Sequence, residues 1–229
     1  MSPDAVSGDF PARHDLVWLR PMWREALRGA VAPSALDALG DWFGRRLPAV
    51  ACRRDGSCGD AIPLAVALPS SAAGEKRRVA LAVEPRAVER IGAPATLREA
   101  AGSAPPAWRE RLGALDHAAR DAGLVLRVYG SLAWQHLSGR AYVTERSDVD
   151  LLVEPRSAGE LRGALALLRA RGDGIPRLDG EVLLPGGRGV SWRELAAGAA
   201  RVLVKSGTAV ALEPARALLG PLAGEEPWP

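Results

Sequence analysis

The stretch from Leu126 to Glu154, LRVYGSLAWQHLSGRAYVTERSDVDLLVE, leaves this chain few ways to fold. Val125, Leu126, Val128 and Tyr129 form an apolar run rich in β-branched and aromatic residues, which predicts a buried strand. Gly130-Ser131 breaks the run and opens a short helix. Beyond a polar loop, Asp148 and Asp150 alternate with Val149 and Leu151. Residues two apart on a strand share a face, so both carboxylates are expected on one side and their apolar neighbours in a core. Neighbouring carboxylates repel unless a cation lies between them. Mg²⁺, held by one or two carboxylates beside substrate phosphates, answers that need, with Mn²⁺ as a substitute. The Gly-Ser turn offers the other half of a phosphate site: backbone N–H groups at a helix N-terminus and a hydroxyl. Asp148 and Asp150 are therefore candidate catalytic and metal-binding residues, and Gly130 and Ser131 candidate substrate-binding residues.

An anion site raises the question of nucleic acid, and here composition decides. The net charge is only +3, the basic residues form no long block, and the two lysines are Lys76 and Lys205. That balance suits an anionic small molecule or an acidic protein and argues against nucleic acid as the partner. No apolar run approaches the roughly 20 residues of a membrane span, so no membrane partner is expected. The opening MSPDAVSGDF is acidic and turn-rich, unlike a secretory signal. Cys52 and Cys58, spaced CRRDGSC, lack partners for a zinc site. A cytoplasmic protein with two unpaired thiols is expected, and no internal repeat is visible.

With 229 residues, 48% of them apolar, the chain has room for one large or two small domains. Between Phe10 and Gly92, Ser34 reads as the N-cap of a helix running to Arg46. ARHDLVWLRP, AVA, IPLAVALP and RRVALAV supply short apolar runs separated by turn residues, so a small antiparallel sheet with one helical layer is predicted. Lys76, Arg77 and Arg78 gather at one strand start, where they serve either as a charged strand end or as a contact for phosphate or an acidic partner. The Pro/Ala/Gly-rich stretch from Gly92 to Trp108 marks the boundary between domains 1–92 and 93–229. A helix follows from Pro106 to Gly123. Ser157 opens another, which returns the chain to the strand Pro176–Pro185. There Asp179 and Glu181 share a face opposite Leu178 and Val182. Ser191, with Glu194 three residues on, reads as a capping box. Lys205 sits at a turn between two short strands, and the tail GPLAGEEPWP reads as loosely held. His117 reads as solvated, Trp134 as core, and His136 as packing or site. Ser131, His136 and Asp148 do not make a hydrolase triad, since the serine lacks a GxSxG setting. The fold class expected is α+β: a small N-terminal α/β domain, then a mixed sheet flanked by helices.

Strand, Gly130-Ser131, then Asp148-x-Asp150 on the next strand resembles the nucleotidyltransferase superfamily, which includes DNA polymerase beta. The resemblance implies a third carboxylate on the neighbouring strand as base and metal ligand, a place that fits Asp179 first and Glu181 second. Taken together, RHDLVWL, IPLAVALP, KRRVAL, VYGSLAWQHLSG, SDVDLL, LDGEV, SWREL and VLVKS resemble the phosphoribosyl-dephospho-CoA transferases over nearly the full length. That family, also called malonate decarboxylase holo-acyl-carrier-protein synthases, attaches 2'-(5''-triphosphoribosyl)-3'-dephospho-CoA to a serine of the decarboxylase's apo acyl carrier protein, with release of pyrophosphate. The resemblance implies metal at Asp148, Asp150 and Asp179, and Asp179 or Glu181 as proton acceptor. It implies triphosphate at Gly130 and Ser131, with Arg177 and Lys205 as charge partners and the carrier near Lys76, Arg77 and Arg78. Two rival readings are an ATP-using adenylyltransferase and a non-catalytic nucleotide-binding module.

Overall fold

Period-two apolar runs in both halves of the chain build two separate sheets, each covered by its own helices. A computed structural model describes residues 10–54, 56, 58–69 and 77–223. The chain divides into two compact units, Met1–Leu68 with Arg78–Ala93, and Pro94–Pro229 with Pro69–Arg77.

In the first unit the elements are β1 (Leu16–Leu19), β2 (Leu27–Arg28), α1 (Pro33–Gly44), β3 (Ala49–Ala51), β4 (Ile62–Leu68), β5 (Arg77–Val83) and β6 (Val88–Gly92). They form a six-stranded sheet in the order β2-β5-β4-β3-β1-β6, larger than the small sheet expected. β1 pairs antiparallel with both β3 and β6. Ser34 is not the cap of α1: the helix starts at Pro33, with Ala32 as an N-cap that makes no side-chain bond. Proline's fixed φ suits the first helical turn, so it sets the start ahead of the serine. Leu39 and Trp42 on α1 are buried, and the Trp42 indole Nε1 donates to the Pro48 carbonyl at 2.9 Å.

The second unit runs α2 (Leu97–Ala100), α3 (Pro106–Asp121), β7 (Leu126–Tyr129), α4 (Gly130–Ser138), β8 (Val149–Val153), α5 (Ala158–Arg171), β9 (Leu178–Leu184), β10 (Arg188–Ser191), α6 (Trp192–Ala196), β11 (Arg201–Lys205), β12 (Val210–Pro214) and α7 (Ala215–Ala223). Its sheet has the order β12-β11-β10-β9-β8-β7. Only β8 and β9 pair in parallel, joined through α5; the other neighbours are antiparallel. This is the expected mixed sheet, and the fold class is α+β.

Parity then assigns the faces. Leu126, Val128, Val149, Leu151, Val153, Leu178 and Val182 enter one core with Leu112 and Leu115 of α3 and Leu161 of α5. Their alternates, Tyr129, Asp150, Leu152, Asp179 and Glu181, lie on the second face. A one-residue slip of β8 would push Asp150 into that core, so burial of the apolar set fixes the carboxylates' side of the sheet.

Three local expectations need correcting. The Pro/Ala-rich stretch before Trp108 contains α2, whose Leu97 and Ala100 are fully buried. A capping box orders it: the Thr96 hydroxyl accepts from Glu99 N, and the Glu99 carboxylate accepts from Thr96 N at 2.7 Å. Ser191 precedes α6 without capping it through its side chain, and the carboxylate half of the box is spent elsewhere, Glu194 Oε2 accepting from Leu203 N at 2.8 Å. The start of the tail is not loose, since α7 runs on to Ala223 and places Leu222 in the core, while residues 224–229 lie outside the described residues. Ser157, by contrast, caps α5 as read, accepting from Glu160 N at 3.1 Å. No disulfide joins Cys52 and Cys58. Among the described residues no helix is long and apolar enough to cross a membrane.

Candidate active site

β7 ends by turning directly into α4. Gly130 makes the turn with φ +65°, and Tyr129 is an N-cap whose side chain does not take the first N–H groups of α4. A Cβ on Gly130 would collide with the Asp150 carboxylate. Glycine therefore does two things here: it tolerates the left-handed backbone, and it lets a carboxylate sit against the start of a helix. Ser131 follows in the first turn, half-buried.

Asp150 is the Cα partner of Tyr129 on one side and of Asp179 on the other. Three strands thus bring Tyr129, Asp150 and Asp179 into one row across the second face. Asp179 is steadied locally, with Oδ1 accepting from Gly180 N at 2.8 Å. Gly180 has φ +132°, and any Cβ there would run into the backbone of Leu151. The close approach of β9 to β8 therefore requires glycine at this position.

Asp148 departs from expectation. It lies one residue ahead of β8, where the Thr144–Ser147 turn delivers the chain to the sheet. The ladder begins only with Val149 N donating to Arg177 O at 2.9 Å. Asp148 is linked to the others through Arg177, whose Nε lies 3.7 Å from Asp148 Oδ2 and whose Nη2 lies 3.6 Å from Asp179 Oδ2. All three side chains are more than a third exposed, so each contact is worth about 1 kcal/mol or less. A cation already lies between two of the carboxylates, held loosely enough to exchange.

Glu181 is set apart from Asp179 by burial. It is 4% exposed, and its Oε1 accepts from Lys205 Nζ at 2.9 Å. The ion pair gives a buried carboxylate a cationic partner and engages Lys205 with Glu181. Lys76 lies outside the described residues. Arg77 and Arg78 are exposed at the start of β5, and Arg78 Nη2 reaches Cys52 Sγ at 3.9 Å. His136 is half-buried with Nδ1 3.1 Å from Ser103 Oγ, His117 is exposed beside Asp121, and Trp134 is buried.

Sequence reasoning missed Gln135. Its Nε2 donates to Ser103 O at 2.5 Å, and its Oε1 accepts from Tyr142 N and Val143 N, both at 3.0 Å. One amide thereby ties the loop leading to Asp148 back onto α4. No local pattern signals such a role. Gly180 could have been found, because a glycine inside a carboxylate-bearing strand signals a close backbone approach.

Among the described residues no three Asp, Glu, His or Cys side chains form a ready-made metal cage. The donor set still fits a hard cation such as Mg²⁺, which takes one or two carboxylates and completes its shell with water and phosphate oxygens. The Arg177 bridge shows the same carboxylates attracting positive charge.

Strand carboxylates and the N-terminus of α4 thus stand together on one face of the mixed sheet. Residues 12–94 match the family model described as phosphoribosyl-dephospho-CoA transferase MdcG N-terminal domain, and residues 96–216 match the corresponding C-terminal domain. The chain belongs to the phosphoribosyl-dephospho-CoA transferase family. It is 40% identical over 209 residues to the phosphoribosyl-dephospho-CoA transferase of Bradyrhizobium diazoefficiens, covering 90% of this chain and 92% of that one. It is 42% identical over 209 residues to the enzyme of the same name from Xanthomonas euvesicatoria pv. vesicatoria, covering 90% and 95%. No solved structure matches the chain significantly.

Proposed function

We propose that the enzyme transfers the phosphoribosyl-dephospho-CoA group of 2'-(5''-triphosphoribosyl)-3'-dephospho-CoA to a serine of the apo acyl carrier protein of malonate decarboxylase, in the cytoplasm, releasing pyrophosphate. The observation that carries the reading is the contact of Gly130 with the Asp150 carboxylate. It puts a carboxylate, which can hold a cation, beside the N-terminus of α4, whose dipole and N–H groups favour phosphate. The names of the relatives supply the identity of the transferred group.

In the reaction the carrier serine Oγ forms a bond to the α-phosphorus, and the bond from that phosphorus to the departing pyrophosphate breaks. The serine proton passes to a carboxylate. Asp179 is better supported than Glu181 as its acceptor, because Asp179 is part-exposed while Glu181 is buried and paired with Lys205. The α4 N-terminus with Ser131 holds the outer phosphates, and Arg177 lies within reach to neutralise them. Asp150, with Asp148 or Asp179, would hold Mg²⁺ or Mn²⁺, which when bound supplies charge neutralisation on phosphate oxygens. Lys205 acts as the partner of the buried Glu181. An acidic carrier surface is matched by the exposed Arg77 and Arg78.

The test is intact-mass spectrometry of apo carrier protein incubated with enzyme and either triphosphoribosyl-dephospho-CoA or ATP. A mass gain equal to the phosphoribosyl-dephospho-CoA group, dependent on a divalent cation, is expected with the first substrate only. Adenylylation from ATP at a comparable rate would replace this reading with the adenylyltransferase one.

A further inference from the structure

The second face of the catalytic sheet carries more than carboxylates. Register places Arg127 opposite Leu152, and Leu152 opposite Glu181, in the row next to Tyr129, Asp150 and Asp179. Leu183 and Glu154 continue to a third row. A cavity of about 310 Å³ opens over these outer rows. Leu152, Leu183 and the half-exposed Val125 form its apolar wall, while Arg127, Arg156 and Glu160 form its polar rim.

We propose that this cavity binds a purine base, the adenine of the dephospho-CoA group, while the carboxylate row handles the phosphates. The inference rests on the transfer reading above for the identity of the ligand. Three observations carry it. The first is charge. Arg127 and Arg156 are balanced by Glu154 and Glu160, so the site favours a neutral group over the diphosphate. A purine edge presents both an amine donor and ring-nitrogen acceptors, and the rim offers carboxylate acceptors and guanidinium donors to meet them. The second is pre-organisation. Arg127 Nη1 donates to Pro94 O at 2.7 Å, and Glu160 Oε2 accepts from Arg156 N at 2.8 Å, so two rim groups are fixed in place. The third is distance. At about 3.3 Å of rise per residue, Leu152 lies about 7 Å and Glu154 about 13 Å along β8 from Asp150. In the triphosphoribosyl group two pentose rings separate the α-phosphate from the base, a span of that order.

Binding measured by calorimetry, with 3'-dephospho-CoA and tripolyphosphate as separate probes, tests the assignment. Saturation-transfer NMR then asks whether adenosine or pantetheine displaces dephospho-CoA. Val125→Trp fills the cavity from its exposed side, and Arg156→Glu reverses one rim charge on an exposed residue. Adenosine should compete and pantetheine should not. Val125→Trp should weaken dephospho-CoA binding about tenfold or more and leave tripolyphosphate binding unchanged, and Arg156→Glu should weaken dephospho-CoA binding in the same direction. Competition by pantetheine but not adenosine, or wild-type affinity for dephospho-CoA in both folded variants, overturns the proposal. If carrier protein is never modified while the base still binds in a Val125→Trp-sensitive way, the cavity assignment stands and the transfer reading falls.

Discussion

Gly130 lacks a Cβ where Asp150 needs the space, and this single pair joins the start of α4 to the carboxylate row. Gly130→Ala brings two costs of different kinds. The left-handed backbone at φ +65° costs about 1–2 kcal/mol of stability with any L side chain. The new methyl group also pushes the Asp150 carboxylate from its place, and a displacement of about 1 Å at a reacting centre is worth on the order of a hundredfold in rate. The variant is expected to fold, with a lowered Tm, and to transfer at least about a hundredfold more slowly. A folded Gly130→Ala enzyme within threefold of wild-type kcat/KM would remove this contact from the mechanism. Asp179 and Glu181 show how neighbours of one residue type diverge. One is part-exposed and shares Arg177 with Asp148, the other is buried and held by Lys205.

Among elements, α2 is too short to be stable by propensity and depends on its cap. In the folded chain the Thr96 backbone N–H, and after it the Thr96 hydroxyl, hold the Glu99 carboxyl below its ordinary value of 4.5. A depressed carboxylate pKa means that the folded state favours the ionised form. Its contribution is complete above that ordinary value and is lost as the pH falls through the lower folded one. Thr96→Ala should cost about 1 kcal/mol near neutral pH. The Tm gap between wild type and Glu99→Gln should be widest at neutral pH and close in acid. A gap that stays constant down to pH 3 would show that the carboxylate's charge contributes nothing. α4 illustrates a different use of an element. Its N-terminus faces the carboxylate row, while Gln135, further along, fastens the loop that carries Asp148.

At the scale of the whole molecule, the candidate catalytic groups gather in the second unit, and β5 of the first sheet begins with exposed Arg77 and Arg78. Charges at such a rim act mainly on association rate and on its salt dependence. With carrier recognition assigned to the first unit, Arg77→Glu with Arg78→Glu should raise KM for apo carrier severalfold and flatten its dependence on ionic strength. Affinity for the dephospho-CoA substrate should hold. Titrating each substrate separately against the double variant decides the matter. Loss of affinity for the CoA derivative with carrier binding intact would assign the patch to the nucleotide.

What the sequence determined by itself is local. The apolar period of two around Val149 and Leu151 set the side of the sheet on which Asp150 lies. Gly130-Ser131 marked the helix start, and Ser157 and Pro106 marked two more. Each of these follows from steric or hydrogen-bonding preferences that act within a turn or a strand. Tertiary structure decided the rest. Asp148 falls just outside β8 because the ladder opens at Val149, where the Arg177 carbonyl happens to lie. Asp179 stands beside Asp150 because β8 and β9 run parallel in one register, which the packing of α5 imposes from a distance. Whether Lys205 meets a phosphate or Glu181 depends on β10 and β11 folding back beside β9. Such pairings join residues far apart in the chain, and their register is settled by burying a common core, which no short window of sequence contains.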